Sequence, residues 1–491
     1  MFRFFRKKPA PKPRKRKAAV KKRAVVKKPK AKRPVVKRQV KRKAAPARKP
    51  VTRGGTVGTF FEPRAVMVVG ASEGRGTGFA SPKFFRAAVE NMQRSFRGRT
   101  HVVDLSGKLE GAFKDFKKLR GKAELAVLML PPEAAVKNMK KLIDAQAKAI
   151  VVVPRYDGGA REELSASVGR GVRVLGPNAV MGVLNTRNGL RTNFERGVMP
   201  RPGGVALVSR SNSVGASVLD WACFHGIGVS KFAFVGEGMD MSEPELLDYL
   251  SRDNNTRVIC VGVGELREGR KFVEAVRKAA EKKPVLVLKG GIAGERDKIY
   301  DAAIRQALAI RVRDVEELLG TADALAKQPP MMGDRVLIIS NARGAAVLAA
   351  DAVYREGLVL AKLSEKTAKA IAQKFPAINV VNPIELGAGA GAKHYGHVLR
   401  QVLADPEADG VMVINALKSR LLEPEDVHVV ADEVMKPKKP VVDVVMGGED
   451  CMLIRDMLQN TNLPVYDLPD KAARALKALR RYGQIREKVA A

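Results

Sequence analysis

From Ala65 onward, short runs of apolar and β-branched residues alternate with longer stretches in which the apolar residues follow helical spacing. Such alternation is typical of βαβ units, in which parallel strands form a buried sheet and helices cover its faces. The first series contains four candidate buried strands up to Asn178: AVMVVG, LAVLMLP, AIVVVP and VRVLGPN. The pattern therefore predicts an α/β protein whose first folded domain is Rossmann-like and spans residues 60–198.

Two further series follow, each beginning with a new candidate strand. The second, residues 199–330, contains VALVS, VSKFAFVG, VICVGVG and PVLVLK, with predicted helices over 213–225 and 269–282. The third, residues 331–491, contains RVLIIS, GVMVIN and KPVVDVVMGG and ends in a predicted helix over 470–482. The segment QPPMMGD, residues 328–334, is predicted to link the two because its prolines and glycine interrupt regular structure.

The second and third series resemble each other at a fixed offset. A shift of 131 residues aligns Val205 with Val336, Ser209 with Ser340, Asp220 with Asp351 and Gly226 with Gly357. The tetrapeptide KKPV also introduces a candidate strand in each series, at 282–285 and at 438–441. Recurrence of a strand, a turn and a helix in one frame indicates a repeated unit. We therefore expect two flavodoxin-like domains of common design.

The N-terminal segment differs from the rest in charge. Residues 1–53 contain 25 Lys or Arg and no acidic residue, whereas the remainder carries 65 Lys or Arg against 51 Asp or Glu. Small residues and prolines separate these charges, so residues 1–59 are predicted to be a disordered tail. We expect this polycation to bind nucleic acid or a ribonucleoprotein. A solubilising role is one alternative, and an anionic membrane surface contacted by Phe2, Phe4 and Phe5 is another.

Other classes of site find little support in the sequence. Cys223, Cys260 and Cys451 lie far apart and form no CxxC pair, so neither a zinc site nor a disulfide framework is indicated. His394 and His397 could share a helix face but lack carboxylate or cysteine support, and no metal is predicted. No apolar run approaches the roughly 18 residues of a transmembrane helix. A cytoplasmic location is expected, with organelle targeting left open.

A glycine-rich turn, GASEGRGTG at residues 70–78, directly follows the first predicted strand. In open parallel sheets, ligands bind beyond the carboxyl ends of the strands, where glycine lets the backbone approach and helix N-termini favour anions. The backbone N–H groups of this turn are predicted to cradle a ligand that carries phosphate, with Arg75 supplying positive charge. A purely structural turn is the alternative.

Equivalent turns follow the first strands of the other two domains: SRSNSVG at 209–215 and SNARGA at 340–345. A serine at such a turn is a feature of nucleophile elbows, but neither turn has the G-x-S-x-G frame, and no His–Asp partner can be inferred. Ser209, Ser211, Ser340 and Asn341 are therefore interpreted as helix caps or as remnants of anion sites. No catalytic residue is predicted.

Several longer runs resemble a known family in order and in sequence. FFEPRAVMVVGAS, VRVLGPNAVMGVLNTRNGLRTNF, GGVALVSRSNSVGASVLDWACFHGIGVSKF and KIYDAAIRQALAIRVRDVEEL are similar to the α subunit of NDP-forming acyl-CoA synthetases. These are the ADP-forming acetate–CoA ligases, relatives of the succinyl-CoA synthetase α chain. The resemblance covers residues 60–486. It implies a CoA-binding Rossmann domain and two flavodoxin-like domains, with the ATP-grasp subunit on a separate chain.

The resemblance also implies roles for individual residues. Gly70, Ala71 and Ser72 match the family's CoA-binding turn, and Gly176, Pro177 and Asn178 match its GPN motif. In the family, a loop histidine carries phosphate between acyl phosphate and nucleotide. Glu243 matches an acidic residue that orients this histidine. CoA is therefore the implied cofactor, and weak binding is expected because the loop around the turn differs from the family pattern.

The departures from the family coincide with its reactive parts. The usual S-Q-S-G-A turn is SRSNS here, so Arg210 replaces glutamine and Asn212 replaces glycine. The usual G-N-x-x-D turn reads GEGMD, residues 236–240, and T-N-A-G-G-P-G reads SNARGAA. The family joins its K-G-R to Y-D-A-A through a loop with S-H-T-G-S-x-A-G, whereas LKGGIAGERDKIYDAA closes this gap without a histidine.

Two hypotheses follow from these observations. The first is a divergent, catalytically impaired member of the family, which keeps the scaffold, residual CoA or nucleotide binding and a basic tail for polyanions. The second is an active ADP-forming acyl-CoA ligase α subunit that works with a separate ATP-grasp subunit. A β-type partner or self-association into a homo-oligomer is compatible with either hypothesis.

Overall fold

The folded part of the chain forms three successive sheets, built mainly of parallel strands. The computed structural model describes residues 55–168, 171–195, 197–264, 268–290, 296–417 and 427–491. The predicted tail therefore lies outside the described residues, except for its last five. Within the described part, every strand run predicted from the sequence is a strand, and each belongs to the sheet expected for its series.

The first sheet has five parallel strands in the order β2-β1-β3-β4-β5. Its strands are β1 (Ala65–Gly70), β2 (Arg99–Asp104), β3 (Leu125–Leu128), β4 (Ala149–Val152) and β5 (Arg173–Leu175). Its helices are α1 (Val57–Phe61), α2 (Pro82–Ser95), α3 (Pro132–Asp144) and α4 (Gly159–Ser167). All six residues of β1 are buried, because helices cover both faces of a central parallel strand.

The second sheet has seven strands in the order β12-β11-β10-β8-β9-β6-β7. They are β6 (Val183–Asn185), β7 (Leu190–Arg191), β8 (Pro202–Ser209), β9 (Val229–Phe234), β10 (Val258–Val263), β11 (Val285–Lys289) and β12 (Ile310–Val312). The helices are α5 (Asn212–Phe224), α6 (Glu243–Arg252), α7 (Gly269–Ala280), α8 (Arg296–Gln306) and α9 (Val315–Lys327). Strand β6 pairs antiparallel with β9, so the chain reaches this sheet before the predicted boundary at 198/199.

The third sheet has the order β14-β13-β16-β17-β18, and β15 also pairs with β13. Its strands are β13 (Arg335–Ser340), β14 (Val359–Leu360), β15 (Ile384–Glu385), β16 (Gly410–Asn415), β17 (Val441–Val445) and β18 (Val465–Tyr466). The helices are α10 (Arg343–Arg355), α11 (Glu365–Lys374), α12 (Ala392–Ala404), α13 (His428–Glu433), α14 (Gly448–Leu458) and α15 (Pro469–Ala490). The final helix is longer than predicted.

The repeat inferred from the sequence is confirmed in atomic detail. Helices α5 and α10 begin and end at positions 131 residues apart. The Oγ atom of Ser209 exchanges hydrogen bonds of 3.1 Å with the backbone N–H and carbonyl of Ser211. Ser340 makes the same pair of bonds to Ala342. Both helices are followed by a glycine with positive φ, which ends the helix in the left-handed conformation.

The segment predicted as a linker connects α9 to β13 and is held in place by packing and hydrogen bonds. Met331 is fully buried and its N–H donates to the carbonyl of Leu479 on α15. The side chain of Gln328 donates to the carbonyl of Asn462 and accepts from the N–H of Val441. One apolar cluster also contains residues from all three sheets. The second and third domains are therefore packed together along α9 and α15.

Candidate functional site

Five turns singled out in the sequence lie at the carboxyl ends of strands, as the fold requires: 70–78 after β1, 176–178 after β5, 209–215 after β8, 236–240 after β9 and 340–345 after β13. Sequence reasoning did not show which of them meet. The GPN motif follows β5, and β5 is separated from β1 by two strands, a distance of roughly 14 Å at the usual strand spacing. Residues 70–72 and 176–178 therefore lie at the same edge of the first sheet, but the strands that they follow are not neighbours.

The GPN motif instead contacts the GEGMD turn of the second domain. The carbonyl of Pro177 accepts a hydrogen bond of 2.9 Å from the N–H of Glu237, and that of Gly176 accepts one of 3.0 Å from Met239. Gly236 has φ +63°, and a Cβ atom there would lie 2.4 Å from the Pro177 carbonyl oxygen. The two turns thus form one continuous surface between the first and second sheets.

The glycine-rich turn after β1 is held from beneath by Asp104 at the end of β2. The Asp104 carboxylate is fully buried and accepts bonds from the N–H and Oγ of Ser72, at 2.8 and 2.7 Å. It also accepts bonds from Ser106 and from the N–H groups of Lys108 and Leu109. Burial alone would raise the pKa of Asp104, but the hydrogen bonds from Ser72 and its other donors lower it below the ordinary value.

This arrangement decides which parts of the turn face a ligand. Because the Ser72 hydroxyl is buried and bonded to Asp104, the outer turn, residues 73–78, is the part exposed to solvent. Arg75 is exposed there, and Gly74 and Gly78 have positive φ. The guanidinium of Arg86 donates to the Ser72 carbonyl at 3.1 Å. Backbone groups and arginine charge, rather than the serine hydroxyl, are therefore available to a phosphate.

The acidic residue at the end of β2 also argues against a nicotinamide dinucleotide. In dinucleotide-binding Rossmann domains, a carboxylate in this region accepts hydrogen bonds from the ribose hydroxyls. Both oxygens of Asp104 are already bonded to the protein, and the side chain has no exposed surface. Sequence reasoning missed this residue, although an aspartate at the end of the RTHVVD run was a usable signal.

An ion pair between a half-buried arginine and a buried carboxylate occupies the turn after β8. The guanidinium of Arg210 binds both carboxylate oxygens of Glu243, with Nη2 at 2.8 Å from Oε2 and Nε bonded to Oε1. Glu243 is 4% exposed and lies at the N-terminal turn of α6, where the helix dipole favours a carboxylate. The hydrogen bonds to Glu243 raise the pKa of Arg210. The pair also lies beside Gly238 of the GEGMD turn.

The four residues interpreted as caps or anion-site remnants all make local hydrogen bonds. Ser211 is the N-cap of α5, and its side chain accepts from the N–H of Val214. Ser209 and Ser340 bond to their own turns. The side chain of Asn341 donates to the carbonyl of Ala416 and accepts from its N–H, which ties β13 to the residue after β16. These contacts favour the structural interpretation.

The loop in which the family resemblance implies a histidine, and in which this sequence has none, lies between β11 and α8. Residues 291–295 fall outside the described part of the chain, but both ends of the loop are defined. Lys289 ends β11 with its ammonium 4.7 Å from the ring centre of Tyr300 on α8. None of the five histidines follows a strand of the second sheet at its carboxyl end: they lie on β2, after α5, twice on α12 and on α13.

The paired histidines of α12 pack against an aromatic ring. His394 and His397 lie with ring centres 4.5 and 5.6 Å from that of Phe375. Within the described ranges, no group of three or more His, Cys, Asp or Glu residues is placed to hold a metal ion. Across the same ranges, no helix combines the length and apolar character needed to cross a membrane.

Comparison with known proteins gives consistent matches. The sequence model of the family described as succinyl-CoA ligase like flavodoxin domain matches residues 202–325. The α subunit of ADP-forming acetate–CoA ligase I from Pyrococcus furiosus is 29% identical over 465 residues, covering 87% of this chain and 98% of that subunit. The corresponding subunit of ligase II is 29% identical over 452 residues, covering 86% and 96%.

Solved structures give the same result. A Pyrococcus horikoshii protein is 27% identical, with a TM-score of 0.78 over 88% of this chain and all of that one. The dinucleotide-forming acetyl-coenzyme A synthetase 1 of Candidatus Korarchaeum cryptofilum, in complex with phosphate and ADP, is 25% identical. Its TM-score is also 0.78, over 88% of this chain and 98% of that one. These matches confirm the predicted fold class and the family resemblance.

Proposed function

Because this chain is homologous over most of its length to the α subunits of ADP-forming acetate–CoA ligases, we propose that it is a CoA-binding α-type subunit without the family's phosphohistidine relay. The observation that carries the proposal is the ion pair between the half-buried Arg210 and the buried Glu243. The pair stands where the family pattern has a glutamine and an acid that orients the histidine.

The loss of the histidine and the gain of Arg210 are physically coupled in this proposal. A carboxylate that is 4% exposed needs a partner, because breaking a buried pair by removing one member costs about 3–5 kcal/mol. Arg210 supplies a permanent positive charge and two fork-like donors to Glu243. Arginine stays protonated at neutral pH, so it cannot act as the neutral nitrogen nucleophile that a phosphohistidine requires.

The glycine-rich turn supports residual CoA binding. Its exposed part combines glycines in left-handed conformations with Arg75, and α2 begins shortly after it. Close backbone approach and positive charge are what a phosphate of CoA would need at the carboxyl end of a first strand. Ser72 and Asp104 would hold the turn in shape without touching the ligand.

An active ligase is the second proposed function, and the completeness of the match favours it. The alignment covers 98% of the Pyrococcus furiosus α subunit, so all three domains are retained. That relative is named as one subunit of a ligase, and an ATP-grasp β-type partner is therefore proposed here as well. Activity would require phosphoryl transfer without the loop histidine or a histidine from the partner, since covalent relay divides one difficult transfer into two.

The basic tail adds a separate part to the proposal. With 25 Lys or Arg among residues 1–53 and no acid, it would bind a nucleic acid or another polyanion through charge density alone. A cytoplasmic location in association with nucleic acid or a ribonucleoprotein is therefore part of the same proposal. An anionic membrane surface is the alternative target.

The test is a reconstitution with a separate ATP-grasp β subunit, labelled ATP, acetate and CoA. We expect CoA to bind and no phosphohistidine to form on His101, His225, His394, His397 or His428, because none follows a strand of the second sheet. Mass spectrometry under turnover identifies a labelled residue, and acetyl-CoA formation is measured in parallel. Sustained acetyl-CoA synthesis would contradict the hypothesis of a catalytically impaired subunit and support that of an active ligase. Phosphohistidine on one of these residues would also show which group carries the phosphate.

A further inference from the structure

A basic cleft opens at the amino ends of the strands of the second sheet, on the side opposite to the glycine and serine turns. Four arginines line it: Arg97 before β2, Arg187 between β6 and β7, Arg201 before β8 and Arg257 before β10. Residues 459–461, which precede β18, complete the wall. This junction cleft therefore lies at the amino ends of the strands and is lined by all three domains.

Two of these arginines are fixed by neutral groups rather than by carboxylates. The Arg201 guanidinium donates to the carbonyl of Gly226 and, at 3.3 Å, to the side-chain oxygen of Asn460. Arg257 donates to the carbonyl of Ala326 at 3.0 Å. Burial lowers the pKa of Arg201, as expected for a charge that lacks a counter-charge of equal strength. Both guanidiniums are thus positioned with their charges largely uncompensated.

The single carboxylate in the wall of the junction cleft, Asp323, offsets these charges only in part: its negative charge raises the pKa of Arg201, but by less than burial lowers it. Asp323 pairs with Lys327 at 2.8 Å. Among the residues that the structure describes, none of the four arginines has a carboxylate within salt-bridge distance. Arg97 and Arg187 are exposed, and their side chains make no hydrogen bond to the described part of the chain. Nothing there competes with a ligand for these two side chains.

Helix capping is the structural alternative, and its magnitude can be estimated. The Ala326 carbonyl belongs to the last turn of α9, and the Gly226 carbonyl lies just beyond α5. Each helix C-terminus is equivalent to about half a negative charge. Two such ends would offset about one of the four positive charges. Capping therefore accounts for the positions of Arg201 and Arg257 but leaves most of the charge unexplained.

We propose that the junction cleft binds an anion with several phosphate groups, of the class of inorganic triphosphate. Planar guanidiniums bind phosphate oxygens in pairs, and the amides of Asn255 and Asn460 add neutral donors. The cleft has a volume of about 590 Å³ and is partly open to solvent, so it accommodates a short phosphate chain. No aromatic side chain lines it, so the base stacking used by single-strand binders is not available.

Binding would also link the three domains mechanically. A chain of phosphates that contacts Arg97 on one side and Arg257 or Asn460 on the other joins elements of separate sheets. A ligand that binds only the native state raises the free energy of unfolding by mass action. Triphosphate should therefore raise the midpoint of thermal unfolding of the folded domains. Binding to the tail alone would not.

The experiment compares three full-length proteins: the natural chain, the double variant Arg97→Glu/Arg187→Glu, and the control Lys362→Glu/Lys366→Glu. Both variants replace exposed side chains and change the net charge equally, and the tail is identical in all three. Inorganic triphosphate is titrated by calorimetry and by thermal unfolding. We expect the cleft variant to bind at least about tenfold more weakly and to lose the thermal shift, while the control keeps both.

Three outcomes would overturn the proposal. Equal affinities and equal thermal shifts in all three proteins would show that the arginines serve only the fold. A thermal shift lost in the control as well would assign the effect to overall charge. A single-stranded oligonucleotide that produces a larger thermal shift than triphosphate at equal phosphate concentration, and loses it in the cleft variant, would assign the cleft to nucleic acid instead.

Discussion

The hydroxyl of Ser72 lies 2.7 Å from Oδ2 of Asp104, across 32 residues of sequence, and couples the first turn of the protein to the end of the neighbouring strand. Asp104 is fully buried, so this carboxylate is solvated by the protein alone. Removing its charge should therefore affect the turn that is proposed to bind CoA.

Replacing Asp104 by Asn should destabilise the protein at neutral pH by about 2–4 kcal/mol, because an amide group would face several N–H donors that now bind a carboxylate. The folded-state pKa of Asp104 is depressed, so its stabilising effect is present above the ordinary value of 3.8 and is lost as the pH falls through the folded value. The difference between the two proteins in urea unfolding should thus shrink below about pH 4. A difference independent of pH would contradict this prediction.

Arg210 and Glu243 should be strongly coupled in a double-mutant cycle. Arg210→Gln leaves Glu243 buried with one weak partner, and we expect a loss of about 3 kcal/mol in the free energy of unfolding. Glu243→Gln leaves Arg210 without its carboxylate partner and should lower the free energy of unfolding by a similar amount. The double variant should lose much less than the sum of the two, with a coupling energy above about 1.5 kcal/mol. Additive losses of stability, measured by chemical denaturation, would show that the two side chains are not energetically coupled.

Arg75→Glu should weaken CoA binding by about tenfold without changing stability, because this side chain is exposed on the glycine-rich turn. The control is Lys362→Glu, an equal charge change on another exposed surface. Titration calorimetry with CoA measures both variants. Equal affinities for the two would place the phosphate elsewhere, and no heat at millimolar CoA would mean that the turn is structural.

Gly70 is less suitable for that test. A Cβ atom at residue 70 would lie 2.2 Å from the ring of Phe85, which is fully buried beneath the turn. Any larger residue would displace this ring and overpack the core, so a loss of CoA binding in Gly70→Val would combine a folding defect with a binding defect.

The tail should give binding to DNA or RNA that depends steeply on salt and little on sequence. Each phosphate contacted on duplex DNA adds roughly 0.9 to the slope of log affinity against log salt. Filter binding at 50 and 200 mM salt compares the full chain, a protein lacking residues 1–53 and a tail scrambled at constant composition. We expect loss of binding on deletion and near-full binding after scrambling. Equal binding by the deleted protein, or preference for anionic vesicles, would exclude this assignment.

The interior of the fold was predictable because its strands are continuous apolar runs. AVMVVG and RVLIIS are buried along nearly their whole length, so the pattern of a covered parallel strand is strong in the sequence. Strand β2 was missed because it is an edge strand whose first residues, Arg99 and Thr100, are polar and partly exposed. The strands of two residues, β7, β14, β15 and β18, are too short to show any period.

The candidate site was predictable only in outline. Glycine and serine turns mark the carboxyl ends of strands, and this position follows from the fold alone. The residues that each turn contacts do not follow from the fold alone. Glu243 lies 33 residues from Arg210, and the contact between Gly176 and the GEGMD turn depends on how two sheets pack. Such pairings are fixed by tertiary structure, for which a single sequence contains no local signal.

The antiparallel strand β6 also determines where this chain can be divided. Val183, Leu184 and Asn185 cover the backbone of β9 by pairing with Ala233, Phe232 and Lys231. A fragment that starts at residue 199 would leave β9 as an open sheet edge, with a row of apolar residues beside unpaired N–H and carbonyl groups. Open edges of this kind recruit strands from other molecules. The two short strands contributed by the preceding domain thus protect its neighbour from aggregation.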